Sequence, residues 1–161
     1  MKACRVQARI DGTALPAAAI EAGVRAVVPM SATTAATLLH KMRLASVESA
    51  ADLPSTDTLR AVLLGLAKSQ DSQAYAALVA SVEPPLLAAC AAGEMDAGRT
   101  LNVMLRSLAR LDVEAAVRRA EDLAQGGVEI EPATYGQFAT SSVAAGKQAL
   151  ASEMLELRDY L

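Results

Sequence analysis

Three side chains on one stretch of this chain have the types and spacing to touch nucleic acid. Asn102, Arg106 and Arg110 recur at i, i+4 and i+8, which places them on one face of a helix. A guanidinium fork suits phosphate, and an amide can pair with a base edge. The wider segment from Arg99 to Arg119 holds five arginines against Asp112 and Glu114. It carries +3, so the rest of a chain with net charge −3 carries −6. The competing account is a solvated face, because exposed helix faces are normally charged.

Other reactive side chains form no constellation. His40 is the one histidine, and no Ser, Cys or carboxylate set accompanies it in a recognisable pattern. Cys90 sits in an apolar run and reads as a buried small residue. Gly93 and Gly98 lack the Gly-Lys-Ser/Thr signature of a phosphate loop. Met42, Met95, Met104 and Met154 read as core filling. The expectation is no enzyme, no metal, no cofactor and no small-molecule substrate.

The elements that position the stripe are helices. Leu101, Met104, Leu105, Leu108 and Leu111 mark one apolar face from Thr100 to Leu111. Asp112 can cap a second helix, whose stripe is Ala116, Ala120, Leu123 and Ala124 and whose end is Gly126-Gly127. Thr58-Leu59-Arg60 opens a similar helix 42 residues earlier, and Thr134-Tyr135-Gly136 another 34 residues later. Ala151, Met154 and Leu155 line the partner of the last one. A spacing near ~34 residues is that of helix-turn-helix arrays. Hydrophobic residues make up 53% of the 161 residues but aromatics only 2%, which favours helices packed through Ala, Leu and Val over a β-sandwich.

In chain order, Met1 to Ala14 reads as an N-terminal arm. Residues 15–54 hold two helices, one from Pro16 to about Val28 and one capped by Ser31, followed by a polar connection from Ser46 to Pro54. Ser55 caps the Thr58 helix, and Asp71-Ser72 makes the corner into the next. Pro84-Pro85 is expected to break that helix and leave Leu86 to Gly93 as a short separate one, an inserted half-unit. Residues 55–161 complete a single domain. Lys2, Arg5 and Arg9 fit either an organelle targeting start or an ordinary basic N terminus. Cys4 and Cys90 make no disulfide framework, so a reducing compartment is the default. No charge-free run of ~18 apolar residues occurs, so no membrane span is expected.

Thr134-Tyr135-Gly136-Gln137-Phe138, the corner Ala145-Gly146, Ala151 and Met154 resemble a pentatricopeptide repeat. The approach Gly127-Val128-Glu129-Ile130-Glu131-Pro132 is similar to that family's Gly-x-x-Pro inter-repeat segment. The resemblance covers about residues 56–160. It implies an all-α solenoid of stacked antiparallel helical hairpins, and binding of single-stranded RNA in organelles, one base per repeat. The base-selecting position lies two residues after the Thr, which here gives Arg60, Asn102 and Gly136. Of these, Asn102 matches the family's usual choice, while the partner position near Glu131 holds an acid. Arg60, Asn102, Arg106 and Arg110 are thus the candidate RNA-binding residues.

Relatives of this family also serve as subunits of organellar ribosomes and respiratory assemblies. The preferred function is therefore a non-catalytic structural subunit of a large organellar assembly, a mitochondrial ribosome above all, with protein and ribosomal RNA as partners. The alternatives are a peripheral subunit of a respiratory or ATP-synthase complex without RNA, and a free RNA-processing factor. The expected location is the mitochondrion, with chloroplast and cytoplasm as alternatives.

Overall fold

The computed structural model describes residues 17–42 and 53–160. The N-terminal arm, Cys4, Pro16 and the connection from Ser46 as far as residue 52 lie outside the described residues. Within them the protein is all-α, with eight helices and no strand. These are α1 (Ala17–Val27), α2 (Ala32–Met42), α3 (Thr56–Lys68), α4 (Ser72–Ala91), α5 (Met95–Leu108), α6 (Val113–Gln125), α7 (Pro132–Ala144) and α8 (Gln148–Tyr160).

Local chemistry sets the helix starts. Ser31, Ser55, Asp71 and Asp112 each accept the backbone N–H three residues on, at 3.2, 3.4, 3.0 and 3.0 Å. The ends share a device too. Gln70, Gly93, Gly127 and Gly146 take positive φ, and the next N–H returns to the carbonyls of Leu66, Ala89, Leu123 and Ser142. The α5–α6 corner differs: Leu111 and Asp112 both donate to the Leu108 carbonyl at 2.8 Å.

Each helix packs on the next, and α1, α3, α5 and α7 also touch in succession. The helix α5 lies in the middle, against α3, α4, α6 and α7. Its Leu101, Met104 and Leu105 are buried with Val62, Leu63 and Leu66 of α3, Leu78 and Val82 of α4, and Phe138 of α7 in one core.

The helix α4 does not break at Pro84-Pro85. It runs as one 20-residue helix, and the separate Leu86–Gly93 helix does not exist. Two backbone bonds are lost where proline has no N–H. Tyr75, Leu78, Val82, Leu86 and Ala89 nevertheless keep one buried stripe through the break, while Pro84 and Ala80 face solvent. Packing of that stripe outweighs the local preference, and the two freed carbonyls belong to Ala80, which is exposed, and Ser81, which is half-buried.

The Thr spacings of 42 and 34 are not the spacings of the helix starts. The helices α3, α5 and α7 begin at 56, 95 and 132, which are 39 and 37 residues apart. Thr58 and Thr134 are the third residues of their helices, but Thr100 is the sixth, because α5 has an added N-terminal turn. Met95 in that turn is 75% exposed, not core, whereas Met104 and Met154 are buried. Ala124 and Leu155 are exposed rather than part of their helices' buried stripes.

Candidate functional site

Asn102 is buried, at 1% exposure, and its amide is fully engaged. Nδ2 donates to the carbonyls of Gly98 at 3.0 Å and Glu129 at 2.9 Å. Oδ1 accepts from the Glu131 N–H at 2.9 Å and the Thr134 hydroxyl at 2.8 Å. One side chain of α5 thus ties down the approach to α7 and that helix's first turn. Two donors and two acceptors exhaust the amide's capacity.

The rest of the stripe also turns toward α7. Arg106 Nη1 donates to Glu131 Oε2 at 2.7 Å and lies 3.4 Å from the Thr134 hydroxyl. Arg110 Nη2 reaches Gln137 Oε1 at 3.2 Å. Asn102, Arg106 and Arg110 therefore form a ladder between helices, with only Arg110 exposed. Arg60 is exposed on α3, apart from the ladder. The acid at Glu131, out of place for a base partner, is the counter-ion of Arg106. The added turn of α5 sets Arg60 and Asn102 at different places in their helices, the fifth residue of α3 and the eighth of α5.

A second bracket matches the first. The Glu21 carboxylate on α1 accepts from the Ser55 N–H, the Ser55 hydroxyl and, at 2.8 Å, the Thr58 hydroxyl. In both cases a polar side chain of one first helix holds the N-cap and third residue of the first helix two elements on. Sequence reading missed Glu21; its signal was the Ser-x-x-Thr it serves, Ser55 to Thr58.

Several openings flank this frame. Between α4 and α6, over α5, lies a furrow of about 400 Å³ lined by Tyr75, Val79, Leu101, Met104, Leu105 and Leu123 among others. Arg119 crosses its side to Glu83 at 2.8 Å. The Tyr75 hydroxyl donates to the Met104 carbonyl at 2.6 Å; burial first, and the negative charge of Glu83 second, hold its phenol far above the usual range. Beside the N-terminus of α5, a cleft of about 370 Å³ is walled by Glu94, Glu129, Glu131, Arg99 and Cys90, which is half-buried rather than sealed in the core. Where α3, α5 and α7 end, a cleft of about 550 Å³ is lined by Lys68, Gln70, Arg110, Gln137, Thr140 and Ser141 among others.

His40 is exposed on α2 and Cys90 lies on α4. Among the described residues no group of three His, Cys, Asp or Glu is placed to hold a metal. The helix α4 has the length and mean hydropathy, 1.5, of a membrane span by composition alone; it carries Glu83, ion-paired with Arg119. No protein-family model, curated protein or solved structure matches the chain.

Proposed function

We propose that this chain is a non-catalytic structural subunit of a large organellar assembly, a mitochondrial ribosome being the preferred case. It would be built as a solenoid of stacked antiparallel hairpins of the pentatricopeptide-repeat kind. The observation that carries this reading is the fate of the polar stripe. Asn102 and Arg106 are spent on joining α5 to α7, and the Glu21 bracket joins α1 to α3 in the same way. Side chains that fasten one hairpin to the next suit a scaffold and leave no base-reading edge at Asn102. Protein partners would pack on exposed helix faces, and no span of the membrane is needed.

The test is native purification of the tagged full chain followed by gradient sedimentation. Migration with ribosomal RNA in a large particle is the expected result. Migration with respiratory or ATP-synthase subunits, or at the top of the gradient, overturns the ribosomal assignment. Retention of a sequence-specific RNA by the free chain overturns the scaffold reading altogether.

A further inference from the structure

The furrow between α4 and α6 lies where two helices stand apart. The helix α2 packs on α4, but α4 and α6 share no extensive packing. They flank α5, whose Leu101, Met104 and Leu105 lie at the bottom of the gap. Across it, Arg119 Nε and Nη2 reach Glu83 Oε1 at 2.9 and 2.8 Å. The space between the walls is about 400 Å³, within the range of sites that take small molecules.

Three features of the lining select an occupant. The first is charge. Glu83 and Arg119 are its charged residues, and they neutralise each other. Arg119 also lies 3.6 Å from Asp122, so it offers no spare cation to an anionic head. The second is hydrogen bonding. Tyr75 supplies the one other polar side chain, and its hydroxyl donates to the Met104 carbonyl. The remaining lining side chains are apolar, so water finds few partners there and a polar ligand would lose its hydration without replacement. The third is width. Leu101, Met104 and Leu105 line the furrow yet are only 0, 4 and 2% exposed, so it narrows to a slit above them. A helix, about 10–12 Å across with its side chains, would rest on the rims, whereas a chain one methylene wide can enter. Tyr75 to Glu83 on α4 and Ala115 to Leu123 on α6 line matching stretches, each about 12 Å long at the helical rise.

We infer that the furrow between α4 and α6 binds the single aliphatic chain of an uncharged lipid. The chain lies against Val79 and Ala80 of α4, Leu108 of α5 and Ala115 of α6, all of them half-buried or exposed. Covering those walls drives binding, at roughly fourfold in affinity for each methylene taken fully out of water. This site goes beyond the scaffold reading and does not depend on it.

The experiment is titration of the full chain, labelled at its methyl groups, with hexanol, octanol, decanol and decanoate, followed by methyl NMR. Saturable shifts are expected at Val79, Leu108 and Leu123, and none at Val143 and Leu157, which are exposed elsewhere. Affinity should rise by roughly two- to fourfold per methylene from hexanol to decanol, and decanoate should bind no tighter than decanol. Ala80→Trp sets a ring on the exposed wall of the furrow and should weaken decanol binding by about tenfold or more. Ala88→Trp, exposed on the same helix but outside the furrow, should leave it unchanged. The titration of the unsubstituted chain decides the matter even where a variant fails to fold. The inference is overturned by shifts that never saturate or that extend equally to Val143 and Leu157, by affinity independent of chain length, or by tighter binding of decanoate. It is equally overturned by Ala80→Trp binding like wild type, or by a dimer in sedimentation that Ala80→Trp abolishes, which would make a second copy the occupant. None of these outcomes bears on the gradient that tests the scaffold reading, so the two fall separately.

Discussion

Replacing Asn102 by Ala separates a bracket from a base reader. The substitution deletes four hydrogen bonds, but their losses are unequal. Gly98 already serves its own helix, so it loses only a second bond. The Thr134 hydroxyl keeps Arg106 at 3.4 Å. Glu129 is exposed and Glu131 half-exposed, so water can reach part of what is left open. An unsatisfied buried group costs roughly 1–3 kcal/mol; with these discounts Asn102→Ala should destabilise the chain by roughly 2–4 kcal/mol. For a chain of this size each kcal/mol lowers Tm by about 2–4 °C, so a fall of roughly 5–15 °C is expected by calorimetry. Asn102→Asp should cost at least as much, because it sets an acceptor against the Glu129 carbonyl. Hydrogen exchange should show the Glu131 amide losing protection first. A cycle with Thr134→Val should give a coupling of about 1 kcal/mol. If Asn102→Ala melts within about 0.5 kcal/mol of wild type while RNA affinity collapses, the bracket argument is refuted.

Other substitutions probe the frame. Gly65→Ala sets a Cβ 2.8 Å from Ala32 Cβ and 2.9 Å from Val28 Cγ1, so it should destabilise by about 1–3 kcal/mol in urea unfolding. Pro84→Ala restores an N–H inside α4 at an exposed position. It should raise stability by about 1–2 kcal/mol, the helix gain less the looser unfolded chain, and an unchanged or lower Tm would count against a continuous α4. Tyr75→Phe removes the phenol donor from the Met104 carbonyl, which keeps its own helix's N–H, and should cost about 1 kcal/mol at neutral pH. Its base limb runs the other way. The folded protein holds the Tyr75 proton more tightly than the unfolded chain does, so this stability is complete below pH ~10 and drains away as pH rises beyond it. The Phe variant should therefore lose less stability between pH 9 and 11, read by circular dichroism.

Much of this was legible in the sequence. Asp71, Asp112 and Ser55 announce their helices because a capping oxygen is a local device. The stripe Leu101, Met104, Leu105 likewise needs only helical periodicity. What was not legible depends on partners distant in the chain. Asn102, Arg106 and Arg110 share a face, but whether that face meets water, RNA or α7 depends on the position of α7, some 30 residues on. The spacing of Thr58, Thr100 and Thr134 could not reveal that α5 starts a turn early. Pro84-Pro85 misled because a proline rule weighs the backbone and not the buried residues on either side of it.

The helix α8 packs chiefly on α7 and buries little more than Ala151 and Met154, while Leu157 and Tyr160 stand in solvent. No bracket of the Glu21 or Asn102 kind reaches it; Lys147, at its cap, pairs with Glu114. Whatever lies against that flank in the cell therefore meets a helix that answers to one neighbour: α8 has its extensive packing on α7 and little on any other described helix, so a load placed on it passes to the array through α7.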